Sequence, residues 1–233
     1  MWPKVITFDC YGTLVQWPET LRACFQTLLP AGADTAAFHR DFNELHTTLR
    51  QGVYRPYSEL LRQALAGTMN KWGCPDIARS QETLLHMIRA IPPYPDVVPA
   101  LTRMTGHFRL AIISNTDDDL IAGTVRGLEV TFDVITAQQA RAYKPDHRLF
   151  TYAFQRLGVL TGDVLHVGAG YPTDMVPAFE LGLQRVWVNR RRERADPSKP
   201  PTVELIDLSS LDACVANVYA RRAAERSAKG HHV

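Results

Sequence analysis

Four short stretches of the 233-residue chain carry side chains able to do polar chemistry. Asp9 ends the apolar run Val5-Ile6-Thr7-Phe8, and Ser114-Asn115 ends Leu110-Ala111-Ile112-Ile113. Lys144 stands in Tyr143-Lys144-Pro145-Asp146, and Asp174 lies six residues past the glycine that closes Val164-Leu165-His166-Val167-Gly168. Alone, each has a bland explanation, since a loop-end aspartate caps a helix and a lysine before proline is solvated. Together they supply two carboxylates, a cation, a hydroxyl and an amide, each at a strand end or helix start. In an open α/β sheet, ligands bind outside the carboxyl ends of the strands, so the sequence order predicts that all of them meet in one crevice.

The elements that must position them follow from hydrophobic periodicity. The three runs above, with Val134-Ile135-Thr136 and Arg185-Val186-Trp187-Val188, read as buried parallel strands. Helical patterns over 118–126, 148–157 and 174–181 link the later strands, so βαβ units and a doubly wound parallel sheet are predicted. The interval 16–93 differs, with no strand and four helical patterns at 19–29, 35–51, 57–72 and 77–90. Gly73-Cys74-Pro75-Asp76 stops one helix and starts the next, and Pro92-Pro93-Tyr94-Pro95 ends the insert in extended chain. The reading is an α/β, Rossmann-like core formed by 1–15 and 94–233, with an all-helical cap inserted at 16–93.

Composition bounds the function. The chain is 45% apolar and 21% charged, with a net charge of +2, ordinary values for a folded globular protein. Residues 190–199 and 220–233 each carry +3, leaving the rest at −4, which is not a nucleic-acid footprint. No stretch reaches the ~20 apolar residues of a membrane span, and Met1-Trp2-Pro3-Lys4 lacks the form of an export signal. Cys10, Cys24, Cys74 and Cys214 show no metal-binding spacing and read as reduced thiols, so a cytoplasmic location is expected.

The motifs Phe8-Asp9-Cys10-Tyr11-Gly12-Thr13-Leu14, Ile113-Ser114-Asn115, Tyr143-Lys144-Pro145-Asp146 and His166-Val167-Gly168 with Asp174 resemble, in order, those of the haloacid dehalogenase superfamily. The resemblance spans essentially the whole chain, including a helical cap directly after the first motif. It implies a hydrolase in which Asp9 attacks the substrate and forms a covalent ester that water then cleaves. Thr13 would orient the Asp9 carboxylate, and Ser114 and Asn115 would hold substrate oxygens or the leaving group. Lys144 would keep Asp9 ionised, and Asp174 would aim or deprotonate the hydrolytic water.

Most members of that superfamily are magnesium-dependent phosphatases, and two positions depart from them. Tyr11 stands where those enzymes place an acidic proton donor, and a phenol of pKa ~10 is a poor acid at neutral pH. Ala169 stands where they place a metal-binding carboxylate, and magnesium prefers carboxylate oxygens. A halide leaves as a stable anion and needs neither group. Aspartate-Xaa-tyrosine-glycine-threonine resembles the 2-haloacid dehalogenase branch. That likeness implies a cofactor-free, metal-free enzyme converting a small 2-haloacid anion to a 2-hydroxy acid. It also places Tyr11, Arg40 and Tyr57 at the substrate or halide, Arg40 drawing the departing halide or binding the carboxylate. A phosphohydrolase with an atypical metal site and a catalytically silent binding protein remain as alternatives, and a homodimer is open.

Two departures concern the site. Phe150, six residues after Lys144, stands where the family typically has tyrosine, so any hydrogen bond from that hydroxyl is lost or supplied from elsewhere. The 168–174 loop lacks the serine and asparagine typical of dehalogenases, and its glycine-to-aspartate spacing is phosphatase-like. Asp117-Asp118-Asp119 reads as a helix start, and Arg190-Arg191-Arg192 as solvated loop. The Arg/Ala/Lys-rich end from Ala220 reads as frayed, with His231-His232 as tail.

Overall fold

A computed structural model describes residues 2–229, and side chains as far as residue 220; His231-His232 lie outside the described residues. Six parallel strands form one sheet in the order β3-β2-β1-β4-β5-β6: β1 Val5–Phe8, β2 Arg109–Ser114, β3 Asp133–Thr136, β4 Val164–Gly168, β5 Gln184–Val188 and β6 Val203–Leu205. β1 is central, and the chain builds outward to one side before crossing to β4 on the other. The strand order therefore reverses between β1 and β4, where a parallel sheet opens a crevice at its carboxyl ends.

β1 is buried along its whole length because helices cover both faces. Ile6, Phe8, Ile112 and Leu165 pack toward α5 (Val97–Met104) and the final helix. Val5, Ala111 and Ile113 pack on the opposite face, toward Leu149, Phe150 and Ala153 of α8 (His147–Leu157). The period of two along each strand thus sorts residues between two cores. β6 and α5 were not foreseen; β6 is three residues long, below the reach of a periodicity argument. The terminal segment expected to fray is instead part of one helix, α10 (Leu211–Lys229), whose buried Leu211, Val215 and Val218 anchor its first two turns against the sheet.

Between β1 and α5 stand α1 (Trp17–Leu28), α2 (Thr35–Leu49), α3 (Tyr57–Lys71) and α4 (Ile77–Arg89). They share an apolar cluster built on Leu21, Phe25, Phe38, Phe42, Leu61, Leu65, Leu84 and Ile88. Leu120 of α6 (Asp118–Arg126) reaches into this cluster from the core layer. The tie is reinforced by Asp117, whose carboxylate accepts hydrogen bonds from the backbone N–H groups of Tyr57 and Ser58, each at 2.8 Å, and from the Ser58 hydroxyl at 2.7 Å. Asp117 therefore caps the N-terminus of α3, across the layer boundary. The carboxylate expected to serve its own helix start serves another helix, a choice only three-dimensional proximity could make.

Candidate active site

The nucleophile candidate sits one residue beyond β1. Its backbone N–H extends the ladder to the Val167 carbonyl at 2.9 Å, so Asp9 leaves the sheet at the crevice. The following residues turn sharply, with Gly12 at φ +86°, a conformation a side chain resists. The turn brings the Thr13 hydroxyl back onto Asp9 Oδ2 at 2.6 Å, while the Ala169 N–H donates to the same hydroxyl oxygen at 2.8 Å. The aspartate is 7% exposed and Thr13 is fully buried.

Lys144 arrives from the loop before α8. Its ammonium is 2.7 Å from Asp9 Oδ1 and 2.6 Å from Asp174 Oδ1, and it also donates to the Ile113 carbonyl at 2.9 Å. The lysine backbone is clasped by Asn115, whose Oδ1 accepts from Lys144 N at 2.7 Å and whose Nδ2 donates to Lys144 O at 3.1 Å. Both ends of the Asn115 amide are thus engaged. Asn115 also lines the cleft, where contact with substrate is expected of it, and its bonds to Lys144 follow from β2 and the 144 loop running side by side.

Asp174 is delivered by a wide π-type turn over Tyr171–Met175, ahead of the short α9 (Val176–Glu180), where a continuous helix was expected. The turn folds the carboxylate back over the β4 end. Asp174 Oδ2 accepts from Gly170 N at 3.1 Å and from the Thr173 hydroxyl at 3.3 Å. The approach is so close that a Cβ on Gly168 would stand 2.7 Å from Cβ and Cγ of Asp174. Glycine at 168 is a steric requirement of the site.

Electrostatics divide the two carboxylates. Burial pushes the Asp9 carboxyl above the usual aspartate range, the Asp174 charge adds to this, and Lys144 and Thr13 only partly offset it. Asp174 is buried as deeply, but the Lys144 charge and the His166 hydrogen bond outweigh burial and bring it down to about 2. Lys144 is held above its ordinary value because the two carboxylates overcome its own desolvation. Burial likewise pushes the Tyr11 phenol up, further still from use as an acid at neutral pH.

The cleft around these groups holds about 840 Å³ and is lined from the core by Asp9, Tyr11, Ser114, Lys144 and Asp174, and from the helical layer by Trp17, Arg22, Arg50 and Tyr57. Tyr11, Trp17, Tyr57 and Tyr143 form a chain of aromatic contacts with centroid spacings of 5.1, 6.4 and 6.1 Å. Two buried polar atoms of the lining residues have no partner among the described residues, Ser114 Oγ and Arg50 Nε. A buried polar atom without a bond is costly, and both belong to side chains that line the cleft.

Arg40 is not among these residues. The buried stripe of α2 is Phe38, Phe42 and His46; at ~100° per residue, position 40 falls on the far side, and Arg40 is exposed. The arginine that the helical layer turns to the cleft from this segment is Arg50, just past the α2 C-terminus and half-buried. Local context matched Arg40 to a family role, but helix phase decides which arginine faces inward.

Arg190, expected in a solvated loop, is instead half-buried and bonded. Its guanidinium forms two bonds to the Asp96 carboxylate at 2.8 and 2.9 Å and two to the Thr13 carbonyl at 3.0 and 3.3 Å, and it lies over the Tyr94 ring at 4.0 Å. It pins the turn that carries Thr13. Arg191 and Arg192 are exposed, as expected. The only sequence signal for Arg190 was its position directly after a β5 strand end and its neighbour Asn189, which is the place where sites form.

The family model for haloacid dehalogenase-like hydrolases matches residues 3–182. Haloacetate dehalogenase H-2 of Moraxella sp. (strain B) is 30% identical over 193 residues, covering 80% of this chain and 86% of its own length. The (S)-2-haloacid dehalogenase of Pseudomonas sp. (strain YL) is 28% identical, covering 80% and 83%. In three dimensions, the L-2-haloacid dehalogenase from Xanthobacter autotrophicus, solved with chloropropionic acid covalently bound, superposes with a TM-score of 0.80 over 93% of this chain and 99% of its own, at 21% identity.

Proposed function

The chain belongs to the haloacid dehalogenase-like hydrolases, and on that premise we propose that it is a hydrolase of the carbon–halogen bond, converting short 2-haloalkanoic acids to 2-hydroxy acids through an Asp9 ester. In the first step an Asp9 carboxylate oxygen bonds to C2 as the C2–halogen bond breaks and the halide leaves with the electron pair. In the second, water loses a proton toward Asp174 and attacks the ester carbonyl carbon. Collapse breaks the bond from the ester oxygen to the carbonyl carbon, the departing alkoxide takes the proton held at Asp174 to give the hydroxy acid, and Asp9 returns to carboxylate by losing one proton to solvent.

The observation that carries the reading is the pair of cleft residues beside Asp9: Tyr11, whose phenol burial pushes further from use as an acid, and Ala169, which has no side-chain oxygen for a metal. Asp9 and Asp174 are the carboxylates left to hold a magnesium ion, both are already bonded to Lys144, and Ala169 offers no further donor. Among the described residues no group of three or more His, Cys, Asp or Glu is placed to hold a metal. The donor set therefore does not suit a phosphatase's magnesium, and it suits chemistry whose leaving group is a stable anion. The substrate carboxylate is assigned to Ser114 Oγ and Arg50 Nε, and the halide to the aromatic wall of Tyr11, Trp17 and Tyr57. The helices of 16–93 act as the cap that excludes water during displacement. No helix among the described residues is long and apolar enough to cross a membrane. A cytoplasmic location is part of the proposal and rests on the four free, widely spaced cysteines. Light scattering in solution decides between monomer and homodimer.

The test is halide release from 2-chloropropionate in excess chelator, with Asp9→Asn alongside. We expect chelator-resistant release by the native enzyme and loss of at least a thousandfold in the variant. Magnesium-dependent cleavage of p-nitrophenyl phosphate without halide release would sink the reading.

A further inference from the structure

Asp174 has one partner that the reaction outlined above leaves unused. His166, on β4, is fully buried, and its Nε2 lies 3.3 Å from Asp174 Oδ1, the same oxygen that Lys144 holds. Its other ring nitrogen, Nδ1, is 2.9 Å from the hydroxyl of Thr7. The register explains the contact: Thr7 pairs with His166 across β1 and β4, two residues before Asp9 on the same face of the sheet. On that face the ring meets Phe150 of α8 edge-on, with centroids 5.1 Å apart and planes at 82°.

The hydrogen-bond inventory settles the direction of the relay. An ionised carboxylate only accepts, so Nε2 must carry the proton facing Asp174. In the neutral ring Nδ1 is then an acceptor, and the Thr7 hydroxyl donates to it; the alternative acceptor for that hydroxyl, the Leu165 carbonyl, is 3.5 Å away. Thr7 thus selects the tautomer that lets His166 donate to Asp174. Phe150 has no hydroxyl to offer at the position where the family typically carries tyrosine, and the ring that bonds Asp174 here is the imidazole packed on it.

We propose that His166, set by Thr7, is a positioning residue for Asp174 that fixes the carboxylate for the water attack on the Asp9 ester. This rests on the dehalogenase reading above. Because His166 touches Asp174 and not Asp9, its loss should slow the second step and spare the first.

Rapid-quench measurement of halide from 2-chloropropionate separates the two. In His166→Phe and in Thr7→Val, which retains the shape of threonine, we expect a halide burst of one equivalent per chain at the native rate. Steady-state turnover should then fall roughly 10- to 100-fold, as expected for a lost hydrogen bond to a charged group, and mass spectrometry should show the ester accumulated on Asp9. His166→Gln, whose amide can still donate, should recover part of the loss. If the native enzyme releases no halide, the dehalogenase reading fails. If it does and both Thr7→Val and a folded His166→Phe keep native steady-state turnover, or lose burst and turnover equally, the positioning role is wrong. Thr7→Val alone decides the question if His166→Phe does not fold.

Discussion

Asp9, the proposed nucleophile, carries a cost of its position. Burial and the nearby Asp174 raise its carboxyl above the ordinary 3.8, so Asp9 takes up a proton at a higher pH than a free aspartate would. The protonated acid is no nucleophile, so the sign is fixed: kcat/KM declines as pH falls through that raised value. The profile of halide release should show an acid limb centred above 3.8; a limb at or below that value contradicts the electrostatics. A more basic carboxylate is also the stronger nucleophile, so the same burial that narrows the pH range favours attack. Substrate capture gives a second residue-scale expectation. Arg50→Ala should raise KM for 2-chloropropionate about 10- to 100-fold, the value of a charged hydrogen bond, while Arg40→Ala leaves KM within about twofold. Equal effects of the two would reverse the assignment. Asp9 and Ser114-Asn115 were legible from sequence because they stand at strand ends, and Lys144 and Asp174 because they lie in the short connections that open the following helices. The arginine was not, because which face of α2 turns inward is set by Phe38, Phe42 and His46 together.

At the scale of elements, the proposed site is held by three short connections rather than by the helices and strands themselves. The Asp9–Thr13 turn is held from below by Ala169 N–H and from the side by Arg190, which Asp96 keeps in place. The Lys144 loop is held by the Asn115 amide. The Asp174 turn is wider than a helical one and closes against a glycine. Gly168→Ala should therefore displace Asp174 while leaving the sheet intact, because the added Cβ would stand 2.7 Å from its carboxyl carbon. The expected outcome is native-like circular dichroism with halide turnover reduced at least a hundredfold; an active Gly168→Ala enzyme would mean the turn has room to give. The periodicity of the sequence predicted a helix from 174, and the spacing of Gly168 and Asp174 was plain in it, yet the π-type turn was not. Two glycines and a proline permit that turn without requiring it, and the pull of Lys144 and His166 on Asp174 is a tertiary term.

In the whole molecule, the helical layer and the sheet meet over the cleft through Leu120 and through the Asp117 cap on α3. Removing that carboxylate leaves one buried and one half-buried backbone N–H without a partner. Asp117→Ala should cost about 2–3 kcal/mol, read as a lower urea midpoint with an unchanged slope; a shift under ~0.5 kcal/mol would show that the tie carries no energy. By itself the sequence determined the parallel sheet, the helical insert between Gln16 and Pro93, and the order in which nucleophile, hydroxyl, lysine and second carboxylate reach the strand ends. Those are local facts, written in periods of two and 3.6 and in the residue that follows each strand. Only the tertiary structure decided that Asn115 clasps Lys144, that Asp117 caps a helix sixty residues away, that Arg190 is a clasp, and that His166 reaches Asp174. Each of these depends on a partner brought near by packing, across 29 to 177 positions of chain in all but one case. In the exception, His166 and Asp174, the eight intervening residues fold back through a turn that no local pattern specifies.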